Sequence, residues 1–481
     1  MSVPTIPVLR RGEVYESLDL NEVMSISGDQ LACRVGFACG GMVKRDLLSI
    51  RKAREALKGY SAAELVNITQ RAGELYLKGT LPVGMEEIPQ GPEDYVQSLA
   101  MTSGLPHTLI RAGMTRLHSV FEQIETILRG LTRGLDLEVF DKGYGEQNGA
   151  PVSFSATTDC LGVILPSNSI AVNALWIPSL AMKIPVVLKP GREEPWTPWR
   201  VIQAFIEAGA PREAFSFYPT THDGSAGIIR RAGRVMLFGD DNTVKQYEHD
   251  PRVEVHGTGY SKILIGEDAI EKWPEYVDLM VQSISSNSGR SCINASTIVV
   301  PKYGDEIAEA VAKRLAEIRP LAADDPEARL SGFANPKFAE WINEAVESGL
   351  ESGDGDGIDV TARYREGDRL QTLGGMNYLQ PTLVRCGSFE SDLAIREFLF
   401  PFASVVEAPQ AEMVGAIGSS LVVTAITEDQ EWIDELFGAS EINRLNVGAV
   451  ATSQLAWDQP HEGNLFEFMY ARRSFQFAAN A

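Results

Sequence analysis

The chain has 481 residues, with 43 Lys and Arg against 65 Asp and Glu, which gives a formal net charge of −22. Its composition, 44% hydrophobic and 22% charged, is that of an ordinary globular protein and excludes a mostly disordered chain. The acidic balance disfavours a nucleic-acid partner, because phosphate binding needs clustered Lys and Arg. The length predicts two or three domains.

The N-terminal residues contain no apolar core of the length that a secretory signal needs. The longest apolar stretch, Ser169–Leu188, is interrupted by Asn173, Lys183 and two prolines, so it predicts a buried helix and strand rather than a membrane span. Five cysteines form no disulfide framework and no zinc-binding spacing: Cys33, Cys39, Cys160, Cys292 and Cys386. We therefore expect a cytoplasmic, reduced protein that binds no metal.

The elements begin with helical patterns over residues 52–77, where Ser61 can cap a second helix, and over about 113–134. Residues 134–159 alternate apolar and polar around a Gly-rich turn, which predicts paired strands. From residue 160 to 239, short apolar strands alternate with helices. This alternation predicts a doubly wound parallel sheet, whose ligands bind beyond the carboxyl ends of the strands.

After Tyr260 the alternation of strands and helices continues. The stretch Glu351–Asp359 is rich in Gly and Asp but lacks the closing Glu of a calcium loop, so it predicts a solvated turn. No GxGxxG follows any predicted strand and no GxxxxGK[ST] occurs, so the usual dinucleotide and P-loop signatures are absent.

A turn of small residues, Asn287-Ser-Gly-Arg-Ser-Cys292, leads into a predicted strand. A cysteine there can be exposed among backbone amides, which favours thiolate chemistry. A cysteine alone is more often a small buried hydrophobic residue. The spacing by itself leaves both interpretations open.

Other motifs occur with this cysteine in a fixed order. They are Leu161-Gly-Val-Ile-Leu-Pro166-Ser167-Asn168, Pro185-Val-Val-Leu-Lys189-Pro, Asn287-x-Gly289-x-x-Cys292, Gln380-Pro-Thr-Leu and Glu397-Phe-Leu-Phe-Pro401. The ordered set resembles the aldehyde dehydrogenase superfamily over about residues 162–401, with Leu399 in place of the usual Phe of the last motif. The N-terminal helices and the C-terminal segment resemble it less closely.

The resemblance implies an α/β fold with a Rossmann-like cofactor domain, an α/β catalytic domain and a β bridging arm. The expected boundaries are residues 1–134 and 157–254 for nucleotide binding, 255–460 for catalysis, and 135–156 with 465–481 for bridging strands that pair across an oligomer. It also implies that Cys292 is the nucleophile and that the Asn168 amide donates to the oxyanion.

Position 256 departs from the family pattern. Hydrolytic members carry a Glu about 35 residues before the cysteine to activate the deacylating water, and here His256 lies 36 residues before Cys292. Loss of the carboxylate fits release of the acyl group to a thiol, because coenzyme A is itself a good nucleophile. Two alternatives stay open: His256 is a substitute base for water, or it only caps a strand.

The cofactor residues implied by the resemblance are Pro166, Ser167, Lys189, Gly239 and Glu397. Lys189 matches the lysine for the adenine-side ribose, and Glu397 the glutamate for the nicotinamide ribose. Arg192 stands where members that prefer NAD carry Glu, so it can pair with the 2′-phosphate of NADP. A solvated surface arginine is the alternative. Asp240 follows Gly239 and would repel a diphosphate, although it is a good helix N-cap.

The sequence thus predicts reduction of an acyl-CoA thioester to an aldehyde by NADPH or NADH, or the reverse reaction, through a thioester on Cys292. NADP is slightly favoured, with coenzyme A as co-substrate. It resembles the acyl-CoA reductase branch, including the luminescence-type fatty acyl reductases. The alternatives are a hydrolytic aldehyde dehydrogenase and a non-catalytic dimeric scaffold. The expected partners are a small acyl-CoA or aldehyde substrate and further copies of the chain, in a homodimer or homotetramer.

Overall fold

The structure is a computed structural model that describes residues 3–352, 357–460, 462–476 and 478. It forms two compact units. The first comprises residues 1–102, 110–257 and 456–481, and the second comprises residues 103–109 and 258–455. Among the described residues, no helix is both long and apolar enough to cross a membrane.

The strands, in chain order, are β1 Thr5–Ile6, β2 Val8–Arg10, β3 Glu13–Tyr15, β4 Leu20–Met24, β5 Leu31–Gly36, β6 Leu81–Val83, β7 Ile88–Gln90, β8 Tyr144–Gln147, β9 Ala150–Ala156, β10 Leu161–Ile164, β11 Val186–Lys189, β12 Phe215–Phe217, β13 Arg234–Phe238, β14 Val253–His256, β15 Ser261–Ile265, β16 Ala295–Val300, β17 Gly357–Asp359, β18 Leu370–Leu373, β19 Met376–Leu379, β20 Thr382–Cys386, β21 Phe402–Glu407, β22 Ser420–Ile426, β23 Ile442–Val447 and β24 Tyr470–Arg472.

The helices are α1 Gly40–Leu47, α2 Arg51–Lys58, α3 Ala62–Lys78, α4 Pro92–Ser103, α5 His107–Glu122, α6 Ile124–Leu131, α7 Val139–Lys142, α8 Pro178–Ala181, α9 Trp196–Glu207, α10 His222–Arg231, α11 Asp241–Lys245, α12 Val277–Ser285, α13 Gly304–Leu315, α14 Pro336–Ser352, α15 Gln410–Ala416, α16 Gln430–Gly438 and α17 Leu465–Met469.

The first unit is built on a sheet in the order β14-β13-β10-β11-β12-β2-β3. The strands from β14 to β12 pair in parallel, and β2 and β3 add an antiparallel edge. These parallel strands are short, apolar and mostly buried, because crossover helices cover the sheet. The predicted doubly wound sheet is therefore confirmed.

The second unit is built on a sheet in the order β17-β20-β21-β16-β15-β22-β23, parallel except for the edge strand β17. A core of buried aliphatic residues on β15, β16, β21, α12 and α13 covers part of this sheet. Residues 357–359 of the stretch that was predicted to be a solvated turn form β17 instead, and residues 353–356 lie outside the described residues.

Several local predictions can be compared with the structure. Ser61 caps α3, where its side chain and that of Glu64 form a capping box, as the sequence indicates. The helix predicted at the start of the stretch Ser169–Leu188 is interrupted: a short 3-10 turn at Ala171–Leu175 precedes α8, which comprises only Pro178–Ala181. A proline has no backbone N–H to continue a helix, but it fits a first turn.

The region predicted as paired strands at 135–156 begins differently from that prediction. Residues 139–142 form α7, and Gly143 ends this helix in the left-handed conformation with φ 73°. The antiparallel pair β8 and β9 follows, and β24 pairs with β9. In the segment predicted to bridge at 465–481, α17 occupies the first residues and β24 the next. The functional division into domains stays a prediction.

Candidate active site

The backbone before β16 makes a tight turn that ends near Cys292. Asn287, Ser288 and Gly289 all adopt the left-handed conformation, with φ of 51°, 57° and 65°. An added Cβ at Gly289 would lie 2.4 Å from the carbonyl carbon of Phe400 and from the nitrogen of Pro401. Two of the sequence motifs therefore meet at this glycine, and the close approach of the backbones requires the missing side chain.

Buried polar side chains fix the same turn. The Arg290 guanidinium donates to the Gly332 carbonyl at 2.6 Å and lies 4.9 Å from the centre of the Phe333 ring. Burial lowers the pKa of Arg290 to about 10. The Asn294 amide donates to the Ser283 carbonyl at 2.9 Å and accepts from the backbone N–H of Ser291 at 2.9 Å. Because both residues are held by backbone groups, the segment that carries Cys292 is pre-organised.

Cys292 itself is half-buried and packs against Ile293, Leu421 and Val422. Its carbonyl accepts a hydrogen bond from Ser261 Oγ at 2.8 Å. An added Cβ at Gly259 would lie 1.9 Å from this carbonyl oxygen. The backbone of the predicted nucleophile is thus seated directly against the start of β15.

Glu397 contacts the same segment. Its carboxylate accepts hydrogen bonds from the backbone N–H of Tyr260 at 2.6 Å and of Gly259 at 3.3 Å. Lys262 is buried, and its ammonium donates to Ser420 Oγ at 2.9 Å. Burial lowers the pKa of Lys262 to about 8, while the Glu397 charge opposes this shift. Cys292 and Glu397 therefore lie at the amino ends of neighbouring strands and share one backbone segment.

In the first unit, the predicted residues lie where parallel strands end. The loop after β10 carries Pro166, Ser167 and Asn168, and Lys189 is the last residue of β11, paired in register with Ile164. An added Cβ at Gly191 would lie 2.5 Å from the Pro166 carbonyl oxygen, so the two loops pack closely. The carboxyl ends of these parallel strands form one edge of the sheet, which is the expected ligand side.

The polar groups at this edge differ in their partners. The Asn168 Oδ1 atom is buried, and among the described residues it has no hydrogen-bond partner. Ser167 Oγ donates to the Glu193 carboxylate at 2.7 Å. Burial lowers the pKa of Lys189, while the Glu193 charge opposes this shift. Arg192 is exposed.

Gly239 follows β13, and its N–H donates to the His256 carbonyl at 3.2 Å, so these two predicted residues are neighbours. Asp240 caps α11 by accepting from the Thr243 N–H at 2.8 Å. The hydrogen bonds from Thr243 lower the pKa of Asp240, which keeps it charged. The N-cap prediction for Asp240 is confirmed, and its negative charge remains unfavourable for a diphosphate at this loop.

His256 ends β14 and is almost fully buried, with 3% of its side chain exposed. Its ring stacks on Phe238, with ring centroids 4.5 Å apart and planes at 14°. Its Nδ1 lies 2.8 Å from a carboxylate oxygen of Glu462. Glu254 lies on the same strand two residues earlier, and burial raises its pKa to about 7. The sequence did not single out Glu462, because no motif or periodicity marks the segment before α17.

One group among the described residues has the ligand types and spacing for a metal ion. Glu74 on α3 and Glu122 on α5 flank His118, with His118 Nε2 3.0 Å from Glu74 and Nδ1 3.3 Å from Glu122. Lys78 pairs with the Glu74 carboxylate at 2.7 Å. Both imidazole nitrogens of His118 face carboxylates, and a lysine already pairs with one of these carboxylates. We therefore interpret the group as an ion-pair cluster and assign no metal to it.

The sequence of the chain is similar to a known protein family and to several curated proteins. The model of the aldehyde dehydrogenase family matches residues 85–420. A betaine aldehyde dehydrogenase from Brucella anthropi is 26% identical over 264 residues, 52% of this chain and 51% of the relative. The chain thus spans about half the length of the curated relatives that it matches.

Solved structures match over nearly the whole chain. An indole-3-acetaldehyde dehydrogenase complexed with NAD⁺ superposes with a TM-score of 0.78 at 16% identity, covering 99% of this chain and 97% of that chain. A 3,6-anhydro-L-galactose dehydrogenase in complex with NAP superposes with a TM-score of 0.77 at 14% identity, covering 98% and 99%. At such identities, these likenesses confirm the predicted fold and nothing finer.

Proposed function

Because the chain belongs to the aldehyde dehydrogenase family, we propose that it oxidises an aldehyde to the carboxylic acid with NAD or NADP, through a thioester on Cys292. The observation that carries this proposal is the turn at Cys292. Three left-handed residues, a glycine pressed against Phe400–Pro401 and the buried Arg290 hold a half-exposed thiol in a fixed backbone. A lone structural cysteine needs no such support.

In the proposed reaction, the Cys292 thiolate adds to the aldehyde carbon and forms a thiohemiacetal. The Asn168 amide and the Cys292 backbone N–H stabilise the oxyanion. An oxidised nicotinamide, when bound, would supply the hydride acceptor for the conversion of this adduct to the thioester. Water then adds to the thioester carbon with loss of a proton, and the tetrahedral adduct collapses to the acid and the free thiol. Each aldehyde consumes one water and one oxidised cofactor.

The residues present fit the two riboses of a dinucleotide better than its diphosphate. Lys189 is a desolvated cation at the carboxyl edge of the sheet, and Glu397 is a carboxylate fixed by two backbone amides. We assign Lys189 to the adenine-side ribose and Glu397 to the nicotinamide ribose. Arg192 is exposed and available to a 2′-phosphate, which supports use of NADP as well as NAD. The charged Asp240 beside Gly239 fits the diphosphate poorly.

Two observations support hydrolysis rather than transfer to a thiol. The ion pair of His256 with Glu462 is typical of a base whose protonated form is stabilised. The matched relative is named as an aldehyde dehydrogenase without reference to coenzyme A. We therefore assign water activation to His256.

The second candidate is the CoA-acylating reaction that the sequence predicts, run as aldehyde oxidation or as acyl-CoA reduction. The observation that favours it is position 256 itself, where the carboxylate of the hydrolytic pattern is replaced by an imidazole. The assembly as a homodimer or homotetramer and the cytoplasmic location also stay predictions.

The experiment that tests the proposal compares Cys292→Ala with Cys39→Ala. Cys39 is exposed and lies before α1, so its loss is a matched control for removing a thiol. We expect aldehyde-dependent formation of reduced cofactor to disappear in Cys292→Ala and to persist in Cys39→Ala. Equal activity of the two variants would overturn the assignment. Added coenzyme A tests the second candidate, which requires it for turnover.

A further inference from the structure

The turn before α17 carries Glu462, whose carboxylate oxygen lies 2.8 Å from His256 Nδ1. Both side chains are shielded from solvent, with 3% of the His256 side chain and 17% of the Glu462 side chain exposed. An ion pair in such surroundings is screened far less than a surface pair. Glu462 is therefore placed to control the state of the imidazole.

The local backbone fixes the position of Glu462. Gly463 adopts the left-handed conformation with φ 68°, and an added Cβ there would lie 2.0 Å from Glu254 Oε1, so the turn lies directly against β14. Asn464 then caps α17, and its side-chain amide donates to the Leu131 carbonyl at 2.9 Å. Glu462 is thus followed directly by two residues that are anchored to the rest of the unit.

The remaining surroundings of His256 leave its other nitrogen without a competing partner. Phe238 covers one face of the ring. Glu254 is the second acidic group that interacts with the imidazole, and one of its carboxylate oxygens is buried and accepts no hydrogen bond from the part of the chain that the structure describes. Among the described residues, both ring nitrogens of His256 are buried and neither makes a hydrogen bond of good geometry. They differ in that Nδ1 has the 2.8 Å ion-pair contact with Glu462.

We propose that Glu462 is the positioning residue of His256: its carboxylate fixes the proton on Nδ1, so that Nε2 is the atom that accepts the proton of the attacking water. The proposal rests on the proposed function, in which His256 is the base. Water oxygen bonds to the thioester carbon, its proton moves to Nε2, and the resulting imidazolium is stabilised by Glu462. The proton then returns to the Cys292 sulfur as the C–S bond breaks.

The charges around the ring agree with this role. Burial alone lowers the pKa of His256, but the carboxylates of Glu462 and then Glu254 raise it, and the net shift is upward. The neutral base form of His256 thus predominates only above its raised pKa. Release of acid should accordingly become faster as the pH rises through that value.

The test uses the full chain with oxidised cofactor and aldehyde, and compares Glu462→Gln with Glu467→Gln. Glu467 is an exposed glutamate on α17, so it controls for loss of one charge in the same segment. In Glu462→Gln we expect the first burst of reduced cofactor to be unchanged, since Cys292 is intact, and the following steady rate to fall about tenfold or more. Glu467→Gln should match the parent protein in both phases.

A nuclear magnetic resonance titration of labelled histidine provides a readout that does not depend on activity. In Glu462→Gln the pKa of His256 should fall by about one unit or more, as expected for loss of one opposite charge at contact distance. In the unmodified protein, at a pH above that pKa, the same titration should place the imidazole proton on Nδ1. This measurement does not depend on the folding of a variant.

An unchanged pKa and steady rate in Glu462→Gln, or a proton on Nε2 in the parent protein, would overturn the positioning role while leaving Cys292 chemistry intact. Absence of free acid from the parent protein would instead overturn the proposed function, and with it the role of the pair in catalysis.

Discussion

Gly259→Ala is the substitution whose effect can be worked out most fully from the structure. The added Cβ would lie 1.9 Å from the Cys292 carbonyl oxygen, 2.7 Å from its carbonyl carbon and 3.0 Å from its Cα. Both backbones are held in place. Gly259 donates to Glu397 and its carbonyl accepts from the Leu421 N–H at 2.8 Å, while the Cys292 carbonyl accepts from Ser261 Oγ.

Contacts shorter than 3.0 Å are essentially never made by a real Cβ, so the Cys292 backbone must move away by about 1 Å. Overpacking of this kind costs about 1–3 kcal/mol of stability. A displacement of about 1 Å at a reacting group is able to reduce the rate about a hundredfold. We therefore expect a modest fall in Tm and a much larger fall in kcat.

The assay measures reduced cofactor under saturating aldehyde, together with thermal unfolding. The control is Gly415→Ala on α15, where the added Cβ meets nothing within 4 Å, and where alanine favours the helix. That variant should keep full activity and unfold at the same or a higher temperature. If Gly259→Ala kept kcat within twofold of the parent protein and an unchanged Tm, the close packing of Gly259 on Cys292 would be refuted.

Three further predictions concern charge and hydrogen bonding. Asn168→Ala should lower kcat about a hundredfold, as loss of one oxyanion donor does. The Tm should change little, because the buried Oδ1 has no partner among the described residues. An unchanged kcat would contradict the role of Asn168. Arg192→Glu should lower the NADP-to-NAD ratio of kcat/KM at least about tenfold, or about 1.4 kcal/mol, and a constant ratio would make Arg192 a solvated surface residue. Since burial raises the pKa of Glu254 to about 7 and that of Glu194 to about 8, the unfolding free energy should fall as the pH rises from about 5 to 8. Glu254→Gln should reduce that fall by an amount on the order of 3 kcal/mol, and an identical pH profile in parent and variant would contradict it.

The central sheet of the first unit is predictable because short apolar strands alternate with helices, and parallel pairing follows from the connections. The placement of Asn168, Lys189, Gly239 and His256 then follows as well, since each comes at or just after the end of a parallel strand. The motif around Cys292 is likewise local in sequence. Within it, Asn287 adopts the left-handed conformation, which asparagine tolerates better than most residues do.

Other features depend on tertiary packing and leave no local signal. Glu462 lies about two hundred residues after His256, in a segment without periodicity, so only the folded chain brings the two charges together. Ser288 adopts a left-handed conformation that its residue type does not indicate. The predicted strands likewise begin only at residue 144, because a short helix, α7, precedes them and buries Val139 and Phe140.

The central claim is that water, activated at His256, resolves the thioester on Cys292. The measurement that tests it most directly is mass spectrometry of the product formed from aldehyde and oxidised cofactor in ¹⁸O-labelled water without coenzyme A. The account predicts continued turnover and a free carboxylic acid that carries at least one oxygen from the solvent. A single burst of reduced cofactor followed by a stall, relieved by coenzyme A with formation of acyl-CoA, would contradict it and establish the acylating reaction instead.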